Sequence, residues 1–208
     1  MIVIIQARSS SKRFRRKVLF KVNKKPIIYH VINRLNSSKK VKRIIVATSS
    51  KKSDNELASY LKKIGVECYR GSLNNVALRL YNAAKKYRLN FFMRISGDSP
   101  LIDPQIINRA IEIFSKNRNI DLVTNVFPRT FSSGQSVEII KTKLLESYIA
   151  KMNATEKEHV TSFFYSNYKK FKIINFKNKN SQKYKKNLKF SVDTKSDLLK
   201  ILKYFKND

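Results

Sequence analysis

MIVIIQARSSSKRFRRK, residues 1–17, joins an apolar run to a loop carrying Arg8, Arg13, Arg15 and Arg16 together with Lys12 and Lys17. Residues 1–6 read as a buried strand. The serine-rich, arginine-rich segment after it has the composition of an anion cradle, because serine hydroxyls, loop amides and guanidinium forks all donate hydrogen bonds to phosphate oxygens. A solvated basic loop after a first strand is the plainer alternative. The rest of the chain decides between them.

Strand and helix patterns alternate beyond the loop. Pro26 suits a first helical position, and Ile27, Ile28, Val31, Ile32 and Leu35 recur at helical spacing, which predicts a helix to about residue 37. RIIVATS (43–49) is a continuous apolar strand, and Ser53 with Glu56 makes a capping box for a helix closing near Gly65. VECY (66–69) reads as a short strand, RGS (70–72) as a turn and residues 74–88 as a helix. NFFMRIS (90–96) is another buried strand, GDSPLID (97–103) a loop, and Asp103 caps a helix from Pro104 to about residue 117. So few polar breaks in the strands indicate an α/β, Rossmann-like fold, a mainly parallel sheet with helices on both faces.

The texture changes after residue 120. DLVTNV (121–126) is strand-like, 127–135 a loop and VEII (137–140) a short strand, followed by two helices, the second opened by Thr155 with Glu158. FKIINF (171–176) reads as a strand, the lysine- and asparagine-rich stretch to residue 187 as an exposed turn, and LKFSVDT (188–194) as a returning strand. Thr194 with Asp197 caps a final helix. No linker or repeat divides the chain, so 1–208 reads as a single domain with 127–187 an excursion from its sheet.

Lys and Arg number 45 against 14 Asp and Glu, a formal charge of +31. The lysines are spread over every predicted helix and loop rather than gathered in a stripe, so no dedicated nucleic-acid partner is expected, although such a field draws in small polyanions. No run of about 18 apolar residues occurs and no secretory leader is evident, which points to the cytoplasm and away from a membrane. Cys68 is the one cysteine, so neither an intrachain disulfide nor a cysteine metal site is available, and it reads as a core residue. His30, within the first helix, reads as structural.

In such sheets the ligand lies beyond the carboxyl ends of the strands, where strand order reverses. The basic loop, RGS and GDSP all fall there. Gly97 permits a tight turn that projects the Asp98 carboxylate beside the phosphate cradle, a setting that suits Mg²⁺. An Asp bonding its own turn is the alternative. Neither G-x-G-x-x-G nor a Walker A sequence is present.

Taken together, QARSSSKRFRRKVL (6–19), KPIIYHVINRL (25–35), YRGSLNNVALRLYNAAK (69–85), RISGDSPLID (94–103), TNVFPRTF (124–131), EHVT (158–161) and VDTKSDL (192–198) make the chain resemble the cytidylyltransferase superfamily. Those enzymes make CMP-activated acidic sugars, and include the 3-deoxy-manno-octulosonate and acylneuraminate cytidylyltransferases; the spore-coat-polysaccharide branch is most similar. The resemblance implies CTP and a sugar acceptor as substrates, pyrophosphate release, Mg²⁺ as cofactor and a homodimer. It places Arg8, Arg13 and Lys17 on the triphosphate, and Arg70, Asn75 and Arg79 toward the cytidine. Asp98 and Asp193 would hold Mg²⁺, with Arg129, Glu138 and His159 toward the sugar. Two loops depart from the family pattern: Phe14, Arg15 and Arg16 replace Leu-Pro-Gly, and Ser133-Gly134-Gln135-Ser136-Val137-Glu138 replaces Asp-Gly-Leu-Asp-Val-Glu. A glycosyltransferase on a similar fold would show D-x-D at a strand end, and that triplet occurs nowhere in the chain. A nucleic-acid-binding protein would keep polynucleotide affinity at raised salt.

Overall fold

The computed structural model describes residues 1–11, 13–117, 119–179 and 188–205. Seven strands form one sheet: β1 (Ile2–Gln6), β4 (Arg43–Ser49), β5 (Glu67–Gly71), β6 (Phe91–Ser96), β7 (Leu122–Thr124), β8 (Glu138–Lys141) and β9 (Ile173–Asn175). Their order is β5-β4-β1-β6-β8-β7-β9. β8 runs antiparallel to both its neighbours, and the remaining pairings are parallel. A separate hairpin joins β2 (Lys21–Val22) to β3 (Lys25–Pro26), with Asn23 and Lys24 in the left-handed region that such two-residue turns require.

Period-two alternation gives the sheet two apolar faces. Val3, Ile5, Val46 and Ile95 pack on one side against α1 (Ile27–Asn36), α2 (Asn55–Lys63) and α4 (Pro104–Lys116). Ile4, Ile45 and Phe92 pack on the other against α3 (Val76–Lys86), α5 (Thr142–Tyr148) and α7 (Ser162–Ser166). The remaining α-helices among the described residues are α6 (Ala154–Glu158) and α8 (Lys195–Leu202). This is the mostly parallel, two-faced architecture the strand pattern implied. No described helix is long and apolar enough to cross a membrane. Cys68 packs against the first core and His30 Nε2 lies 2.9 Å from the Val22 carbonyl oxygen, so both are structural.

Several local expectations fail for identifiable reasons. Residues 127–187 are not wholly an excursion: β8 is inserted between β6 and β7, where Ile139 and Ile140 are buried on opposite faces, and β9 extends the edge. Arg70 and Gly71 continue β5 instead of turning, paired with Thr48 and Ser49. The Ser53–Glu56 capping box does not form. A 3₁₀ turn over Lys52–Asp54 precedes α2, Asp54 is fully buried against other loops, and Glu56 pairs with Arg16. The second predicted helix of the later segment breaks into α6 and α7, and its capping box is Asn153 with Glu156, leaving Glu158 free to reach Arg8. Residues 188–194 form no strand, only one bridge between Lys189 and Ser133. The Asp103 and Thr194–Asp197 caps are present as expected. Much of the lysine-rich turn, residues 180–187, lies outside the described residues.

Candidate active site

Strand order reverses at β1. The chain runs outward through β4 and β5, then crosses back to add β6 on the opposite side of β1. Beyond the carboxyl ends of the strands at this point a cleft of about 940 Å³ opens.

The basic loop forms one wall. Ser9 N donates to Asp54 Oδ1 at 2.6 Å, Ser49 N donates to the other oxygen at 3.2 Å, and the Ser49 hydroxyl also bonds it. A buried carboxylate thus pins the loop to the end of β4. Arg16, in the left-handed region, donates its amide to Ser9 O at 2.8 Å and closes the loop. Phe14 anchors it in a third apolar cluster, and the 3₁₀ turn at Lys17–Leu19 carries Lys17 inward.

Lys17 Nζ donates to Asp98 Oδ2 at 2.5 Å and to Asp193 Oδ1 at 3.1 Å. Gly97 makes this approach possible, since a Cβ there would lie 2.8 Å from Ala7 Cβ and 3.1 Å from Gln6 O. Asp193 arrives from the C-terminal segment, held by a bond from Val192 N to Asp98 O of 2.8 Å. Arg13 and Lys189 also pair with Asp193, at 3.1 and 2.9 Å. Burial pulls the Asp193 carboxyl upward, but Lys189 and Lys17 outweigh it and hold it below the usual range. Asp98 and Asp193 thus come together on one ammonium, although Asp193 does not follow a strand. Their hard oxygens suit Mg²⁺, with phosphate oxygens and water as further ligands. Among the described residues, no group of three or more His, Cys, Asp or Glu could hold an ion unaided.

Arg8 reaches across the cleft to Glu158 at 2.5 Å. Arg79, 2% exposed, donates to Ser72 O at 2.6 Å, and its Nε has no partner among the described residues. Burial, followed by the nearby Arg8 charge, lowers its pKa to about 10. The floor is a polar network. Arg94 donates from Nε to Gln6 Oε1 at 2.8 Å and pairs through its guanidinium with Glu138. Glu138 Oε1 accepts from Thr161 Oγ1 at 2.6 Å and from the Tyr165 hydroxyl at 2.5 Å. Burial raises the Glu138 carboxyl, yet Arg94 and these hydroxyls prevail and hold it low; burial and Glu138's charge push the Tyr165 phenol up.

Arg8, Arg13, Lys17, Arg79, Asp98 and Asp193 therefore line one cleft, as do Arg129, Glu138 and His159. Arg129 donates to Ser136 Oγ at 3.0 Å, so the serine that replaces an acid receives it. Glu138 is committed to the floor network, with its side chain 4% exposed. Two expected residues lie outside the lining. Arg70 is held by Ser49 O, Lys51 O and Asn55 Oδ1 at 3.0, 2.9 and 2.7 Å, because its place in β5 turns it toward α2. Asn75 caps α3, accepting from Leu78 N at 2.9 Å. Sequence reasoning missed Asp54, Arg94, Glu158 and Tyr165. Arg94 was the most accessible of these, since an arginine within the apolar run NFFMRIS needs a buried partner.

A family model described as cytidylyltransferase matches residues 2–207. An uncharacterized protein of Methanocaldococcus jannaschii is 37% identical over 99% of the chain and 84% of its own length. A 3-deoxy-manno-octulosonate cytidylyltransferase of Trichlorobacter lovleyi is 35% identical over 60% of the chain and 48% of its own length, so the match spans about half of that relative. A solved cytidylyltransferase from Leptospira borgpetersenii superposes with a TM-score of 0.93 at 30% identity, covering 100% of this chain and 87% of the other.

Proposed function

Because the chain belongs to the cytidylyltransferase family, we propose that it transfers CMP from CTP to a hydroxyl of an acidic sugar, releasing pyrophosphate, for surface polysaccharide synthesis in the cytoplasm. The observation that carries this reading is Lys17 seated between Asp98 and Asp193 at the mouth of a cation-lined cleft. Arg8, Arg13 and Lys17 bind the triphosphate. The sugar oxygen attacks the α-phosphorus in line, the bond to the bridging oxygen of the β-phosphate breaks, and the same cations take up charge building on the departing pyrophosphate. Asp98 and Asp193 would hold Mg²⁺, which neutralises phosphate charge when bound. Arg129 offers its guanidinium to the carboxylate of an acidic acceptor. Arg79 shapes the base end of the cleft by holding residues 72 and 73.

A pyrophosphate-release assay across the four nucleoside triphosphates and a panel of acidic and neutral sugars tests this. Release is expected with CTP, Mg²⁺ and an acidic sugar together. Equal turnover with all four nucleotides would remove the cytidine assignment, and turnover with neutral sugars alone would remove the acceptor class.

A further inference from the structure

Lys17 is placed where neither a surface lysine nor a simple phosphate ligand needs to be. Its side chain is 11% exposed, and those of Asp98 and Asp193 are 19% and 22% exposed. Around this group Arg13 shares the Asp193 oxygen that Lys17 uses, while Lys189 holds the other and joins it to Asp197 at 2.8 Å. The acids Asp98, Asp193 and Asp197 are matched in formal charge by Lys17, Arg13 and Lys189. The cluster is thus neutral before any ligand arrives.

A divalent cation entering alone would meet carboxylates already satisfied, in a cleft also lined by Arg79, whose guanidinium is held by backbone carbonyls and not by an acid. It would have to displace the Lys17 ammonium from both carboxylates, and the ion and the ammonium would then repel each other in a partly buried site. A polyphosphate changes the balance, because its oxygens accept from Lys17 and Arg13 and release the two carboxylates.

We propose that Lys17 is the resident counterion of the Asp98–Asp193 pair, excluding a divalent cation from the empty cleft and yielding the two carboxylates only when a polyphosphate takes its ammonium. The inference rests on the nucleotide reading for the identity of that polyphosphate, but the exchange itself requires only phosphate oxygens. It makes metal entry conditional on nucleotide, so the protein does not hold an idle ion.

Mn²⁺ serves as the probe, followed by electron paramagnetic resonance. Free wild-type protein should hold Mn²⁺ at least tenfold more weakly than Lys17→Met does without nucleotide, because the variant keeps the apolar stem and leaves the cluster with one net negative charge. Adding Asp98→Asn to Lys17→Met should erase that gain. In the wild type, pyrophosphate or CTP should tighten enzyme-bound Mn²⁺ at least tenfold. Tight Mn²⁺ binding by the free wild type that Asp98→Asn abolishes would overturn the proposal, and this arm needs no Lys17 variant to fold. CTP binding accompanied by no gain in folded Lys17→Met, checked by circular dichroism, would also overturn it while leaving the nucleotide reading intact. A gain in Lys17→Met when neither CTP nor pyrophosphate binds would support the counterion and sink the nucleotide reading.

Discussion

Glu138→Gln is the sharpest test of how the cleft floor is built. The resemblance places this residue toward the sugar, whereas its side chain is 4% exposed and faces Arg94, itself 15% exposed. Glutamine keeps the size and one acceptor oxygen but presents an amide that can only donate, where Arg94, Thr161 and Tyr165 all donate. One guanidinium is then left buried opposite a neutral group. Breaking a buried pair from one side costs about 3–5 kcal/mol. In a chain of this size each kcal/mol moves the melting temperature by roughly 2–4 °C, so a fall of roughly 6–20 °C is expected. Urea unfolding of Glu138→Gln, Arg94→Gln and the double variant should give a coupling of about 1 kcal/mol or more. A loss under about 1 kcal/mol in Glu138→Gln, with a raised KM for the sugar, would refute the network and return Glu138 to the acceptor.

Asp98→Asn and Asp193→Asn should each fold and each lose turnover on the order of 100-fold or more. The double variant should lose far less than the product of the single effects, and Asp103→Asn should keep full activity, since asparagine caps a helix equally well; a fully active single variant at Asp98 or Asp193 would contradict the metal assignment. Stability should also fall in acid. Burial pulls the Asp197 carboxyl upward, but bonds from Lys189 and from the amides of Asp193 and Thr194 hold it at about 2. A depressed folded value means that its contribution is complete above the unfolded value of about 4 and is lost as pH falls toward about 2. The urea midpoint of the wild type should therefore drop more steeply over that window than that of Asp197→Asn, and parallel curves would contradict this.

The sheet was legible because its strands announce themselves. IVIIQ, RIIVATS and FFMRIS are apolar on both faces, and only a strand covered by helices on both sides uses such runs. β8 was recognised as a strand but not placed, since four residues hold too little pattern to say which neighbours they join. Asp98 and Gly97 could be assigned together because a glycine before a carboxylate at a strand end has a geometric meaning. Arg70 could not. Its strand extends two residues past the apolar pattern, and once Gly71 is paired the arginine faces backbone carbonyls instead of the cleft. Asp54 was hidden by a local rule: Ser53 and Glu56 look like a cap, while Asp54, inside that span, serves Ser9, 45 positions away, and long-range bonds of that kind leave no periodic trace.

The apolar cluster that seats Phe14 also contains Phe190, Val192, Leu198, Ile201 and Phe205, and it is separate from the two layers against the sheet. All seven strands precede residue 176. During synthesis, at about 5–20 residues per second, the sheet can therefore assemble while Asp193 and the other half of this cluster have yet to emerge. Until they dock, Lys17 has only Asp98 to pair with and the basic loop lacks the wall that holds Phe14. A chain at that stage would be a scaffold with an unfinished cleft, and docking of residues 188–205 is the event that brings the second carboxylate to the site.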